Sequence, residues 1–552
     1  MGPAAAPRRA PSLAPGLDGP WRGGDRGVIP TTVPRRRIPI PWLSALLLAP
    51  AALAHAQPAA LDEAGAPAPR ELTGTLADAP EAAPSAPTPS ATEPEDSTPE
   101  DSTPDASEPA GTPPARDDAP APREPEDSAI PTPGPVQRFR LGNGLRVAYQ
   151  RDPRWSFSAV CLAFGVGSSD DPEGLRGLAH LTEHTMFGPF PGAPNGFDAA
   201  VQPLGATYVN ATTGPEVTTY CTEVPAANLP ALLHLEAGRM GYLLGTLGEE
   251  DVARERLAVL NEQHARGRHR AGWRIGEWES EELWPEGHPR RYSDEDGVEA
   301  IRLEHVQWFH QTWYGPANAV LAIVGPEPLE RVRPRIEREL GVLRGARPPA
   351  RSVPETPRWE RDRYLRVGML YRRSELHLVW RTPAYFAPGD AALDVVATLL
   401  DRRLEEAFED LEDVRVSVRQ YSGAFASTFR VSLVGPEELD VMDVVLPRAD
   451  AVLAELAEEV DEAAVADARR GWAIGASAGW DRALTRAAFL ARWTARGRPL
   501  DPEDDAERYR AVTHDEVRAT IRRLREEGRL IVHARFNRLA PFEGAHERSR
   551  WR

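Results

Sequence analysis

The chain contains no lysine: all 65 of its basic residues are arginine. This removes two large classes of chemistry. A P-loop needs its lysine on the phosphates, and a Schiff-base enzyme needs an amine nucleophile. Cysteine is scarce as well, with only Cys161 and Cys221, too few for a disulfide framework or a four-cysteine zinc site. No basic stripe is visible and the formal net charge is −18 over 552 residues, so no nucleic-acid partner is expected. Long apolar runs are also lacking. The best one, IPIPWLSALLLAPAALAHA at 38–56, is short and interrupted by proline, whereas a spanning helix needs about 20 consecutive, mostly apolar residues.

What is present is unevenly distributed. The run at 38–56 follows Arg35-Arg36-Arg37 and ends in Ala54-His55-Ala56, the charged start, short apolar middle and small-x-small end of an export signal. Residues 1–56 therefore read as a signal peptide with an N-terminal extension, and the alternative is a membrane anchor over 38–54. The expectation is a periplasmic or secreted protein that meets a membrane only through this segment. Residues 57–135 hold 19 of the 55 prolines, 17 acidic residues and three arginines, a net charge of −14. Such a stretch cannot bury enough apolar surface to fold and reads as an extended, self-repelling linker. The acidic pI of 5.3 describes this segment more than a folded surface.

From residue 136 the texture is that of a folded protein, long enough for two domains with sizeable cores. Alternating apolar residues flank Gly142-Asn143-Gly144, a hairpin signal. Strand patterns follow at 155–168 and 205–224, with helical periodicity at 176–188, 196–204, 226–245, 249–266 and 299–313, and a buried strand in ANAVLAIVGP. A Pro/Arg-rich connector at 346–360 is followed by the same order of strands and helices up to LIVHARF at 530–536. The fold class expected is α+β, with two similar domains, 136–345 and 361–542, each a mixed sheet packed with helices, and a tail at 543–552. An exported chain meets an oxidising compartment, and both cysteines lie in strand-like segments. They pair if those strands are neighbours, and otherwise are small buried core residues.

The chemistry concentrates in GLAHLTEHTMFG, 177–188. His180 and His184 are spaced i, i+4 and share one face of a helix, so both imidazoles can reach one Zn²⁺. Glu183 stands beside them and can take a proton from a water activated there. The pattern H-x-x-E-H reverses H-E-x-x-H and is that of the inverted zincins. A catalytic zinc takes three protein ligands and keeps one position open. Downstream, 249–267 reads as a helix with Glu255 and Glu262 two turns apart on one face. His264, His269, His288, His305 and His310 have no partner at ligand spacing and read as surface or packing residues.

Taken together these motifs resemble the pitrilysin/insulinase family of zinc peptidases over about 136–542. LGATYVNATTGPEVTTY, GHPRRYSDEDG and WYGPANAVLAIVG add to the resemblance. It implies a half-clamshell fold like that of mitochondrial processing peptidase. It also implies zinc ligation by His180, His184 and Glu262, Glu183 as base, Glu255 assisting, and peptide binding along a strand edge at Asn210 and Ala211 by strand addition. One departure stands out. Relatives supply an Arg and a Tyr from their second half to the substrate carbonyl, but here those places fall near Glu409 and Arg415, with Arg419 and Tyr421 out of register. The resemblance thus implies a two-chain enzyme acting on peptides, completed by a same-fold partner that carries the Arg/Tyr pair. The alternative is a catalytically weak member acting as a peptide-binding scaffold.

Overall fold

A computed structural model of the protein describes residues 132–265, 271–291, 297–369 and 371–537. The expected signal peptide, nearly all of the acidic linker, the 543–552 tail and His269 lie outside the described residues. The first half runs β1 (Val136–Arg140), β2 (Arg146–Arg151), β3 (Phe157–Phe164), α1 (Leu178–Thr185), α2 (Phe197–Val201), β4 (Tyr208–Thr213), β5 (Thr218–Pro225), α3 (Leu229–Tyr242), α4 (Glu249–Ala265), α5 (Ala271–Leu283), α6 (Gly297–Ala300), α7 (Leu303–Trp313), β6 (Ala319–Gly325) and α8 (Leu329–Leu340). The second runs β7 (Arg363–Met369), β8 (Arg373–Thr382), α9 (Asp390–Ala407), β9 (Arg415–Tyr421), β10 (Ser427–Pro436), α10 (Leu446–Glu458), α11 (Glu462–Ala478), α12 (Ala483–Ala495), α13 (Pro502–Arg510), α14 (His514–Glu526) and β11 (Leu530–Phe536).

The duplication expected from the order of elements is explicit in the sheets. The first has strand order β1-β2-β6-β3-β5-β4 and the second β7-β11-β8-β10-β9. Without β1, the two orders correspond strand for strand. Each holds its single parallel pair at the same place, β2 with β6 and β7 with β11, and is otherwise antiparallel. Each fold is therefore an α+β layer of mixed sheet and helices, as the sequence implies. The stretch 205–224, which reads as one strand, is two. Gly214-Pro215 turns the chain, and β4 pairs back on β5.

A sheet with two apolar faces needs cover on both. One face of each sheet packs on helices of its own half, burying Leu162, Tyr220 and Leu321 in the first and Leu378, Trp380 and Val431 in the second. The other faces are covered by exchange. Helix α12 of the second half lays Ala483, Ala487, Leu490 and Ala491 on Ala148, Ala159, Ala163 and Ala322 of the first sheet. Helix α5 of the first half returns the cover, placing Ile275 and Leu283 against Leu365, Val367 and Val532 of the second. The sequence reading assigned no element to α5, because its apolar stripe is short and interspersed with glutamates.

Each exchanged helix is locked by charge. Arg486 of α12 pairs with the buried Asp152, just beyond β2. Burial would raise the Asp152 carboxyl, but hydrogen bonds from Arg154 and Arg486 outweigh this and hold it at about 2. Glu279 of α5 accepts from Arg430 of β10 at 2.8 Å. Removing one partner of such a buried pair typically costs about 3–5 kcal/mol.

The two cysteines stand directly opposite each other on β3 and β5, with Cα atoms 4.2 Å apart, and are joined by a disulfide. The bond closes a 60-residue separation that includes α1. Replacing both cysteines with alanine should lower unfolding stability by about 2–5 kcal/mol, read as a reduced urea midpoint under non-reducing conditions. Equal midpoints would mean the bridge contributes nothing to the fold.

Candidate metal centre

Helix α1 is only eight residues long and depends on its surroundings to form. Leu178 and Leu181 anchor one face in the core. Its N-terminus is capped from a distance by Asp171, whose carboxylate accepts from Gly177 N at 2.8 Å and Ala179 N at 2.7 Å. A carboxylate there satisfies orphan amides and complements the helix dipole. Gly177 has φ 95°, and a Cβ on it would come within 2.5 Å of Val298 Cγ2, so both backbone and space require glycine. On the open face, His180 and His184 stack edge to face with ring centroids 4.9 Å apart.

Helix α4 packs alongside α1. Its buried residues are Val252 and Val259. Glu255 and Glu262 each follow one of these by three positions, so the stripe that anchors the helix also turns both carboxylates toward α1. Glu262 Oε2 lies 3.6 Å from His180 Nε2 and 3.4 Å from His184 Nε2, and the three donor atoms fall within 4.8 Å of one another. Tetrahedral zinc with bonds of about 2.0–2.1 Å separates its ligands by about 3.3–3.4 Å. The donor set and spacing therefore fit zinc.

The second nitrogen of His184, Nδ1, faces Glu255 Oε2 at 3.5 Å, and Glu255 is itself contacted by Arg254 Nε at 3.3 Å. The resemblance gives Glu255 an assisting role beside the base Glu183, and it stands against the ring whose other nitrogen meets Glu262, where a carboxylate can orient that ring. Burial would lower the His184 pKa, but the Glu255 contact and the charges of Glu183 and Glu262 prevail and raise it above its usual value.

Glu183 is nearly buried, at 8% exposure. Its Oε2 accepts a hydrogen bond from Thr213 Oγ1 at the end of β4. Thr213 was missed in the sequence, where nothing marks it apart from its neighbours. The remaining histidines stand elsewhere. His288 stacks on Trp284, His310 stacks on Tyr314, His305 caps α7, and His264 is exposed on α4.

Asn210 and Ala211 lie on β4, the last strand of the sheet, whose outer edge has no strand partner among the described residues. Their side chains diverge. Ala211 lies opposite Tyr220 on the α1 side, and Asn210 lies opposite Cys221 on the α12 side. In the second half, Glu409 and Arg415 are both exposed. Arg419 and Tyr421 lie on β9, the counterpart of β4, where Arg419 donates to Ser417 Oγ at 3.2 Å.

The duplicated topology makes α9 the counterpart of α1. Each helix follows a left-handed glycine, Gly177 or Gly389. Aligned on these, His180, Glu183 and His184 correspond to Ala392, Val395 and Val396, all buried in the second core. The second half thus carries the helix without the donors.

Comparison with known proteins places the donor-bearing helices and the donor-free second half under different profiles. The family profile "Insulinase (Peptidase family M16)" matches residues 146–281, and "Peptidase M16 inactive domain" matches 300–471. The chain is similar to "Zinc protease PqqE" of Helicobacter pylori, at 26% identity over 47% of this chain and 60% of that one. It also matches "Coenzyme PQQ synthesis protein F" of Pseudomonas aeruginosa, at 31% identity over 39% of this chain and 28% of that one. The chain thus spans less than two thirds of these curated relatives. In fold it resembles the crystal structure of a protease from Helicobacter pylori, with a TM-score of 0.63 and 19% identity over 73% of this chain and all of that one.

Two outcomes should follow in zinc titrations of the purified chain. His180→Ala and His184→Ala should each abolish stoichiometric zinc, and Glu255→Gln should retain it with about 10–100-fold weaker affinity. Because His184 is more basic than usual and must be neutral to ligate, affinity should fall as pH drops from 7.5 to 5.5. Unchanged zinc content in both histidine variants would rule out this ligand set.

Proposed function

This chain belongs to the insulinase (M16) family of peptidases, and we propose that it is a zinc-dependent endopeptidase acting on unfolded peptides. The observation that carries the reading is the convergence of His180, His184 and Glu262 on one point, with Glu183 immediately before His184 on the same helix. Those three residues would hold the ion. When bound, zinc supplies Lewis acidity toward a water and toward the scissile carbonyl.

The chain's own residues account for the rest. Glu183, oriented by Thr213, takes the proton of the attacking water and returns it to the leaving amine. The open edge of β4 aligns an extended peptide by main-chain pairing at Asn210 and Ala211, holding one bond beside Glu183. Further donors to the developing oxyanion would come from a same-fold partner, since Glu409 and Arg415 stand where relatives are expected to have Arg and Tyr. Export belongs to the same reading, supported by the signal-like run at 35–56 and by the Cys161–Cys221 disulfide, a bond typical of oxidising compartments.

The chain alone should therefore cleave a quenched peptide poorly. A co-expressed same-fold subunit should raise the rate about 10²–10³-fold, the usual worth of one oxyanion donor. Glu183→Gln should keep zinc and lower kcat by about 10²–10⁴ in the same assay. Near-normal turnover in that variant would exclude Glu183 as the base. An absence of cleavage with every partner would favour a peptide-binding scaffold.

A further inference from the structure

The exchanged helix α12 does more than cover the first sheet. It packs along β2, β3, β5 and β6 and brings Arg492 to the edge strand β4, where Arg492 Nη2 donates to Thr212 Oγ1 at 3.2 Å. Thr212 shares the α12-side face of β4 with Tyr208 and Asn210, which are both exposed and joined by a 3.2 Å hydrogen bond. The back of the edge strand is thus a polar shelf, open at Tyr208 and Asn210 and ending at Thr212 on the half-buried guanidinium of Arg492.

What sets that guanidinium apart from its neighbour Arg496 is the lack of a counter-ion among the described residues. Its Nε is sealed from solvent and has no hydrogen-bond partner, and no carboxylate lies within ion-pair distance of Arg492 among the described residues. The neighbouring Arg496 has its own counter-ion, the buried Glu216 at 3.6 Å, and lies over the rings of Tyr385 and Trp493. Burial and the charge of Arg496 lower the Arg492 pKa to about 10. A cation held this way gains from any anion brought beside it. At the other end of the strand the sign reverses. Glu223 stands opposite Tyr208 and accepts from Thr207 Oγ1 at 2.7 Å. Positions 208 and 212 are about 13 Å apart along a strand, so the shelf is polarised along its length.

We propose that Arg492 is a specificity-determining residue that selects an acidic side chain in the substrate. This rests on the peptidase reading above. Side chains of a strand added to β4 alternate between the two faces of the sheet. One set points to the α1 side with Glu183, and the other lies on the shelf. Thr213, whose hydroxyl holds Glu183, is adjacent in sequence to Thr212. The substrate side chain that meets Arg492 therefore belongs to a residue at or next to the scissile bond. Aspartate or glutamate there completes the missing ion pair, and arginine there meets like charge. Toward Tyr208 the preference fades or reverses because of Glu223.

The test is a set of peptides that differ at one position at a time, carrying Asp, Asn or Arg at each residue flanking the cleaved bond. The full chain is assayed with its partner subunit. At one position Asp should exceed Asn in kcat/KM by about tenfold, consistent with a charged hydrogen bond away from bulk water, and Arg should be disfavoured. Arg492→Met should bring the Asp/Asn ratio to about one, and Arg492→Lys should keep part of it. Titration of the same peptides against Glu183→Gln protein reads the preference without cleavage, so a failure of the peptidase reading leaves this question decidable. Equal affinity for the Asp and Asn peptides at every position would overturn the proposal, as would a preference that survives Arg492→Met. If the methionine variant does not fold, the ranking of peptides by the unaltered chain decides.

Discussion

Each sheet of this protein has two apolar faces, and each half supplies its own helix layer to only one of them. The exchange of α5 and α12 resolves that constraint, and much else depends on it. It explains why α12 presents small residues, Ala483, Ala487 and Ala491, to a sheet face made of Ala148, Ala159, Ala163 and Ala322. Small side chains on both surfaces allow a helix to pack closely on a sheet. It explains the placement of buried charge as well. Arg486 with Asp152 and Arg430 with Glu279 each join an exchanged helix to the half that receives it.

The candidate metal centre shows how few positions distinguish two halves of one fold. Both halves build the same strand order and enter the equivalent helix through a left-handed glycine. In α1 two half-buried positions carry imidazoles, and α4 brings its glutamates. In α9 the corresponding positions are Ala392, Val395 and Val396, and they serve packing. The second half is a frame with core residues where the first has donors, and its contribution to the first is α12 and what it carries.

The parts that could be read from sequence were those fixed by local spacing. An i, i+4 histidine pair and two glutamates seven apart obey helix geometry whatever surrounds them, so His180, His184, Glu255 and Glu262 could be named and their meeting expected. The succession of strands along the second half was legible for the same reason, through alternation, but their order in the sheet was not. Contacts between distant segments were not. Thr213 reaches Glu183 only because β4 turns back on β5, and Asp171 caps α1 across a loop. Helix α5 was invisible because its apolar residues match a sheet that begins some 80 positions later. The direction of Asn210, away from the α1 face, follows from register with Cys221, which alternation alone leaves ambiguous by one residue.

The exchange also bears on what the connector at 346–360 can be. It has neither helix nor strand and joins the two halves in sequence, which gives it the look of a hinge between independent bodies. A cleavage there would not produce two. Each fragment would keep the helix that belongs on its neighbour and would expose the sheet face that helix covers. The severed pieces would hold together through two interlocked apolar surfaces and their buried ion pairs. In topological terms the molecule is a clasp rather than two beads on a string, and the covalent link between its halves is the least of what joins them.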